Sequence, residues 1–361
     1  MQALILVGGK GTRLRPLTLT LPKPALPLVD RPFMRYMVDW LARHGVDEVV
    51  LACGFLPDQL REALGDEIPG GPKITYVTEP EPLGTAGAIK FAEDVLEDRF
   101  FALNGDSLTD LDLTKLRERH EASGARATLG LYPVKDPTAF GLVRRTEDGA
   151  ITEFLEKPDP AEIDTDEVSA GIYMLEKEVL EMVPPGVDFS IERQVWPELV
   201  GKGLYSQRLE GYWVDIGTPP RYLDACWDIL GGAVATEPGK LVDGDFTYVD
   251  AEAAVDPSAQ VGRRVFVEPG ATIAAGATVG PRAVIGRETS IGENARIEGA
   301  ALHGGCTIGA GATVTGAILA AGVTVEEGAT VPEGAVVGAG AVITPSASLG
   351  KGAKVGPEER A

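Results

Sequence analysis

Cysteine, histidine, aromatic side chains and basic charge are all scarce in this chain, and each scarcity closes off a class of protein. Three cysteines, Cys53, Cys226 and Cys306, are odd in number and far apart. They form no disulfide framework and no metal or redox spacing, so they read as reduced thiols. Three histidines, His44, His120 and His303, supply no nucleophile-and-base constellation. No apolar run reaches the length of a membrane span, and the opening MQALILVGG is too short for a signal peptide. Lys and Arg number 33 against 54 Asp and Glu, a net charge of −21. That balance argues against nucleic acid and anionic membrane surfaces as partners. The expected location is the cytoplasm.

Against this acidic background one stretch is basic. Residues 1–35 carry Lys10, Arg13, Arg15, Lys23, Arg31 and Arg35 against Asp30 alone, an excess of +5. A local reversal of charge points to a small anionic ligand near the N-terminus.

The chain is long enough for two domains, and its two parts are written differently. Residues 1–230 alternate short apolar runs with helical patterns. Strands are expected at Ala3–Val7, Val49–Cys53, Ile74–Thr78 and Phe100–Leu103. Helices are expected at Phe33–His44, with Pro32 in its first turn, at Pro57–Leu64 and at Gly84–Leu96. Leu142–Arg145 and Ile151–Leu155 flank Asp148-Gly149 as a hairpin. This alternation predicts an α/β domain, Rossmann-like, with a mostly parallel sheet that binds ligands at the carboxyl ends of its strands.

From residue 251 onward, aliphatic residues recur every six positions. They run from Val255 through Val261, Val267, Ile273, Val279, Ile285, Ile291 and Ile297. One five-residue step leads to Leu302, Ile308 and Val314; a second leads to Leu319, Val325, Val331, Val337, Ile343, Leu349 and Val355. A fixed period means a solenoid. Here it predicts a left-handed parallel β-helix with one strand and one turn per hexapeptide, and glycines at turns. Beyond Ala251 there is no Trp or Tyr and only Phe266 among the Phe residues, as a narrow prism without room for rings requires. Residues 231–250 are expected to connect a catalytic domain, 1–230, to the β-helix, 251–361.

The chemistry lies in the first part. Gly8-Gly9-Lys10-Gly11-Thr12-Arg13-Leu14-Arg15-Pro16-Leu17-Thr18, then Pro22-Lys23-Pro24, follows a strand. It is neither a Walker A loop nor G-x-G-x-x-G. Glycines let backbone N–H groups approach phosphates closely, and Arg13 and Lys23 add full charges. The stretch resembles the signature of the sugar-1-phosphate nucleotidyltransferases. Further pieces follow in that family's order: Pro82–Gly87, Asn104-Gly105-Asp106, Glu156-Lys157-Pro158, Ser169–Tyr173 and Trp213–Thr218.

The resemblance implies transfer of a nucleotidyl group from a nucleoside triphosphate to a sugar 1-phosphate, with release of pyrophosphate. It implies nucleotide contacts at Leu6, Gly8, Gly9, Gly11, Thr12, Arg13, Glu79, Gly84 and Thr85, with Arg13 and Lys23 as the catalytic cations. Asn104, Gly141, Glu156, Lys157 and Ser169 would hold the sugar phosphate, and Asp106 and Asp215 would hold Mg²⁺. Where thymidylyl and uridylyl branches carry glutamine, five residues before Gly84, this chain has Glu79. An ionised carboxylate only accepts, so it suits adjacent donors, which guanine offers at N1–H and N2–H₂. With Ser190–Pro197 resembling the mannose-1-phosphate guanylyltransferase branch, the expectation is GTP with mannose 1-phosphate. A thymidylyltransferase or uridylyltransferase acting on glucose 1-phosphate is the alternative. Ser169 stands where the family often has Asn, which leaves other sugars open.

Two other classes are weighed. A non-catalytic nucleotide-sugar-binding subunit would lack phosphate or metal residues, yet all are present. Hexapeptide proteins are often acyltransferases with a histidine base. His303 is the one candidate here, and its place at the first five-residue step reads better as a structural irregularity. The β-helix is expected to serve assembly, giving a homo-oligomer.

Overall fold

The structure is a computed structural model that describes residues 1–242 and 246–361. Of the connecting segment expected at 231–250, residues 243–245 lie outside the described residues. The chain forms two compact units, one of residues 1–9 and 34–213, the other of residues 10–33 and 214–361. Among the described residues no helix is long and apolar enough to cross a membrane.

The first unit is built on a nine-stranded sheet. Its strands are β1 (Gln2–Leu6), β2 (Glu48–Cys53), β3 (Lys73–Thr78), β4 (Arg99–Asn104), β5 (Ala127–Pro133), β6 (Gly141–Arg145), β7 (Ile151–Glu156), β8 (Glu167–Glu176) and β9 (Leu204–Arg208). The main path runs β7-β6-β8-β4-β1-β2-β3, with β5 paired to β8 and β9 to β5. Strands β4, β1, β2 and β3 are parallel, with Leu6 opposite Ala52 and Asn104, and Cys53 opposite Thr78. The apolar runs of β4, β1 and β2 are buried, as parallel strands covered on both faces must be, while β3, at the edge, buries Ile74 alone. The other half turns antiparallel through β8, which runs against β4, β5 and β6. The hairpin expected around Asp148-Gly149 is β6–β7, with Glu156 opposite Gly141.

Helices α1 (Phe33–Arg43), α2 (Pro57–Leu64), α3 (Gly84–Phe91) and α4 (Leu113–Ser123) follow the expected order, with two local differences. The helix expected to reach Leu96 ends at Phe91, because Val95 N–H and Leu96 N–H bond three residues back and tighten the chain into a 3₁₀ turn. Pro32 lies just outside α1, in a two-residue strand opposite Pro27, and Phe33 N–H closes onto the Leu26 carbonyl at 2.8 Å.

The second unit carries a three-sided parallel β-helix. One face stacks Val267, Ile285, Leu302, Leu319, Val337 and Val355 in a ladder. Another stacks Val255, Ile273, Ile291, Ile308, Val325 and Ile343, and the third Val261, Val279, Ile297, Val314 and Val331. The five-residue steps shorten the coils they fall in, so Ala283 pairs with Ala300 while Val265 pairs with Ala283. A second inner position lies two residues before each aliphatic one. It is mostly alanine, as at Ala271, Ala277, Ala295, Ala312, Ala329 and Ala341, all buried. The large and the small residue together fill the prism. Phe266 leaves that core and stacks on Tyr248 with ring centroids 4.7 Å apart. Helix α5 (Pro219–Leu230) belongs to the same unit and brings Tyr222 to His303.

Candidate functional site

The parallel strands of the first unit end together, and that edge collects Gly8, Gly9, Glu79, Gly105 and Asp106. Val7 N–H donates to the Ala52 carbonyl and Gly105 N–H to the Leu6 carbonyl, both at 2.9 Å, so the segments after β1 and β4 leave side by side. Asp106 follows Gly105 there. Glu79 comes directly after β3, tied by its N–H to the Cys53 carbonyl at 2.8 Å. Its side chain is buried against Gly8; a methyl group on Gly8 would lie 3.2 Å from Glu79 Oε1. Glu79 Oε2 accepts from Leu83 N–H at 3.0 Å. Burial raises the Glu79 pKa above the ordinary range, and the Leu83 N–H opposes this in part. Gly9 has open space around it, which leaves its backbone accessible.

Gly84 opens α3 with φ +70, and a side chain there would collide with the Asp188 carboxylate. Only glycine meets both demands. The next residue, Thr85, is committed inside the protein. Its Oγ1 donates to Glu192 Oε2 at 2.7 Å and accepts from Ile191 N–H at 2.8 Å. Ser190 Oγ donates to the same Glu192 oxygen at 2.8 Å. Ala86 N–H, among the first N–H groups of α3, donates to the Phe189 carbonyl at 2.8 Å. A π-helical turn at Ile191–Val195 carries Glu192 and Arg193, a geometry frequent at functional sites.

Glu156 ends β7 and is half-buried. Its pKa is raised first by burial and then by the negative charge of Glu192, while Lys157 and Arg193 pull it down. Lys157 takes φ 55, its N–H donates to the Phe140 carbonyl at 3.1 Å, and its exposed Nζ lies 3.9 Å from Glu156 Oε1. Ser169 is buried on β8, and its Oγ accepts from Gly171 N–H at 3.3 Å. Gly141 is covered by the Phe154 ring, and Gly171 packs on the Asn104 side chain. Trp213 Nε1 donates to the Ala170 carbonyl at 3.0 Å, and its ring meets Phe140 edge-on at 5.4 Å and Tyr132 at 5.7 Å. This aromatic wall beside Ser169-Ala170 was not read from the sequence, although Trp213 opens a quoted motif.

The second unit holds the charged residues of the glycine loop. Gly11 has φ 57, and its carbonyl accepts from Leu14 N–H at 3.0 Å and Thr18 Oγ1 at 2.9 Å. This folds Thr12–Leu14 into a helical turn. Asp215 then sits among three cations. Arg13 Nη2 and Lys23 Nζ are each 3.7 Å from it, and Arg221 Nη1 is 3.0 Å away. Lys23 is buried and Arg13 exposed. Gly217 N–H donates to Asp215 Oδ1 at 2.7 Å, and a side chain on Gly217 would collide with the Arg13 guanidinium. Arg221, one turn into α5, was missed; it lies outside the motif and carries no local signal.

The carboxylates of Asp106, in the first unit, and of Asp215, in the second, are each of the hard-oxygen kind that a divalent cation takes, and such an ion completes its shell with phosphates and water. Among the described residues no three His, Cys, Asp or Glu side chains gather into a metal-binding group, and this mode of binding needs none. The buried histidines are structural. His120 bonds Thr128 Oγ1 at 2.9 Å and Glu176 Oε1 at 3.2 Å, and His303 Nε2 lies 3.0 Å from the Tyr222 hydroxyl.

Residues 2–231 match the nucleotidyl transferase family, and residues 245–349 match the EIF2B subunit epsilon LbH domain. The chain is 38% identical over 284 residues to a mannose-1-phosphate guanylyltransferase of Mycobacterium tuberculosis, covering 76% of this chain and 78% of the relative. It is 38% identical over 267 residues to a mannose-1-phosphate guanyltransferase of Saccharomyces cerevisiae, covering 72% and 73%. Among solved structures, HddC from Yersinia pseudotuberculosis complexed with GMP-PN aligns with TM-score 0.54 at 29% identity, covering 62% of this chain and 97% of that one.

Proposed function

The chain belongs to the sugar-1-phosphate nucleotidyltransferases of the nucleotidyl transferase family, and from that membership we propose GTP and mannose 1-phosphate as its substrates, with GDP-mannose and pyrophosphate as products. The observation that carries the base assignment is Glu79, a buried carboxylate against the first loop glycine with one oxygen already fixed by Leu83 N–H. An acceptor held beside a phosphate loop matches guanine's paired donors. The sugar assignment rests on the names of the relatives that match over most of their length.

In this reading a sugar-phosphate oxygen attacks the α-phosphorus in line, and the bond to pyrophosphate breaks. Such a transfer needs positioning and charge neutralisation more than covalent chemistry. The glycine loop N–H groups and Arg13 take the triphosphate, and Lys23 neutralises the reacting phosphates. Lys157 takes the sugar phosphate, Glu156 accepts from a sugar hydroxyl, and the Trp213–Phe140 wall bounds that side. Mg²⁺, when bound, offsets charge that builds on the phosphate oxygens, and Asp106 and Asp215 are the residues proposed to hold it. The domain limits 1–230, 231–250 and 251–361, a homo-oligomer and a cytoplasmic location are part of the same proposal. Light scattering that returns a single 38.0 kDa chain would remove the oligomer.

Pyrophosphate release is the test, in Mg²⁺ with GTP, dTTP, UTP, ATP and CTP against the 1-phosphates of mannose, glucose and N-acetylglucosamine. Selective release with GTP and mannose 1-phosphate supports the reading. Release with a pyrimidine triphosphate alone refutes the role given to Glu79. Folded protein inert in every combination favours a nucleotide-sugar-binding subunit.

A further inference from the structure

Glu192 has no role in the motif roles above, yet the first unit arranges several groups around it. One of its oxygens receives two hydroxyls, Thr85 at 2.7 Å and Ser190 at 2.8 Å. Thr85 in turn takes Ile191 N–H at 2.8 Å, so Glu192, Thr85 and the backbone at 190–191 form a closed clasp. The clasp joins the first turn of α3, on the nucleotide side, to the turn facing Glu156, on the sugar side. Two hydroxyls donating to one oxygen hold the Glu192 carboxylate in place. Glu156 and Tyr173 both feel its negative charge.

We infer that Glu192 is a positioning residue, which clamps Thr85 and the start of α3 and sets a fixed negative charge opposite Glu156. The inference rests on the sugar-side role proposed for Glu156. An ionised glutamate is the stronger acceptor for a sugar hydroxyl, and a like charge held opposite makes ionisation harder. Glu192 therefore places the acid limit of sugar binding at higher pH than Glu156 alone would have. Lys157 and Arg193 face the same carboxyl and oppose Glu192. The other charged groups on the packed elements are engaged elsewhere: Arg144 with Glu153 and Asp164, Arg145 and Arg208 with Glu167, and Glu198 with Lys202.

Glu192→Gln tests this, since the amide keeps an acceptor for both hydroxyls and loses the charge. The readout is kcat/KM for mannose 1-phosphate against pH, at saturating GTP. The acid limb should move to lower pH by roughly half a unit or more, so that the variant keeps several-fold more of its plateau rate at the foot of the wild-type limb. Thr85→Val, which opens the clasp without touching charge, should lower kcat/KM several-fold and leave the limb in place. A limb that does not move in a folded Glu192→Gln enzyme overturns the inference.

The same coupling is read without substrate from a double-mutant cycle of Glu156→Gln and Glu192→Gln on the unfolding midpoint. Non-additivity is expected at pH 7.5. An additive cycle at that pH also overturns it. If Glu192→Gln does not fold, Glu156→Gln alone should raise the midpoint at pH 7.5 by relieving the repulsion; no rise counts against the inference. A wild-type enzyme inert with every substrate, alongside a coupled cycle, would sink the substrate reading and keep Glu192.

Discussion

Lys23 and Asp215, far apart in the chain, meet as an ion pair with Nζ 3.7 Å from Oδ1, and the lysine is buried. A buried ammonium holds its charge only with partners. Asp215 is one such partner, and it also draws in Arg13 and Arg221. One carboxylate thus gathers three cations, two of them from the glycine-loop stretch.

Replacing Lys23 by Met should lower kcat by about two to three orders of magnitude, the usual cost of removing a preorganised charge from a phosphoryl site. The unfolding midpoint should change little, because Arg13 and Arg221 remain on Asp215. Asp215→Asn should do the reverse for stability, since it leaves Lys23 buried without that carboxylate. Pyrophosphate release and a thermal melt on both variants check this; a Lys23→Met enzyme with native kcat removes the lysine from the chemistry.

Glu79→Gln should reduce kcat/KM for GTP by roughly ten- to a hundred-fold, as expected when an acceptor loses its charge toward paired donors. UTP and dTTP should gain relative to GTP. In the native enzyme the raised Glu79 pKa means that protonation begins at higher pH than for an ordinary glutamate. The preference for GTP over UTP should therefore shrink as pH falls, and the variant should lose that pH dependence. An unchanged GTP-to-UTP ratio in Glu79→Gln would falsify the base assignment.

Gly217→Ala should reduce kcat more than stability. A methyl group there meets the Arg13 guanidinium and would stand 2.8 Å from Asp215 Oδ1. Arg13 is exposed and swings away at little cost to the fold. A variant with native kcat and a lowered melting temperature would show that the residue serves packing alone.

His303 links pH to stability in the second unit. Burial pushes its pKa down to about 4 from the ordinary 6.5. The unfolded chain then binds a proton that the folded chain does not, so stability is complete above 6.5 and falls as the pH drops toward 4. The loss approaches about 3 kcal/mol from this residue. His303→Gln should flatten that part of the melting-temperature profile between pH 6.5 and 4.5. A profile identical to wild type would show that another group governs it.

What the sequence made legible follows from which forces act locally. Strands β1 to β4 are apolar runs, and the inward ladder of the β-helix is a fixed period, so both were visible. The glycine loop, Lys157 and Asp215 could be singled out because they sit in continuous motifs, and Glu79 by its distance from Gly84. Of the antiparallel half of the first sheet only the β6–β7 hairpin was visible, because β8 is held by pairing with three strands remote in sequence. The hydroxyl of Thr85, expected among the nucleotide contacts, bonds Glu192, a partner 107 residues away that no local pattern shows. Arg221 and the Trp213–Phe140 wall were hidden for the same reason. The alanines of the β-helix were legible in principle, two residues before each aliphatic position, but glycine and alanine abound throughout that region.

The ladder of the β-helix makes length itself a discrete property. Leu319 stacks under Val337, and both are followed by the next turn of the same face. Excising residues 320–337 would remove one storey and leave every storey above it in register. Removing a single residue elsewhere rotates all that follows by part of a face and turns core positions toward solvent, unless a turn absorbs the change. The chain has absorbed it at two places, after Ile297 and after Val314. Insertions and deletions in this tail are therefore sorted by arithmetic before they are sorted by chemistry: whole storeys pass, and odd residues survive only at corners.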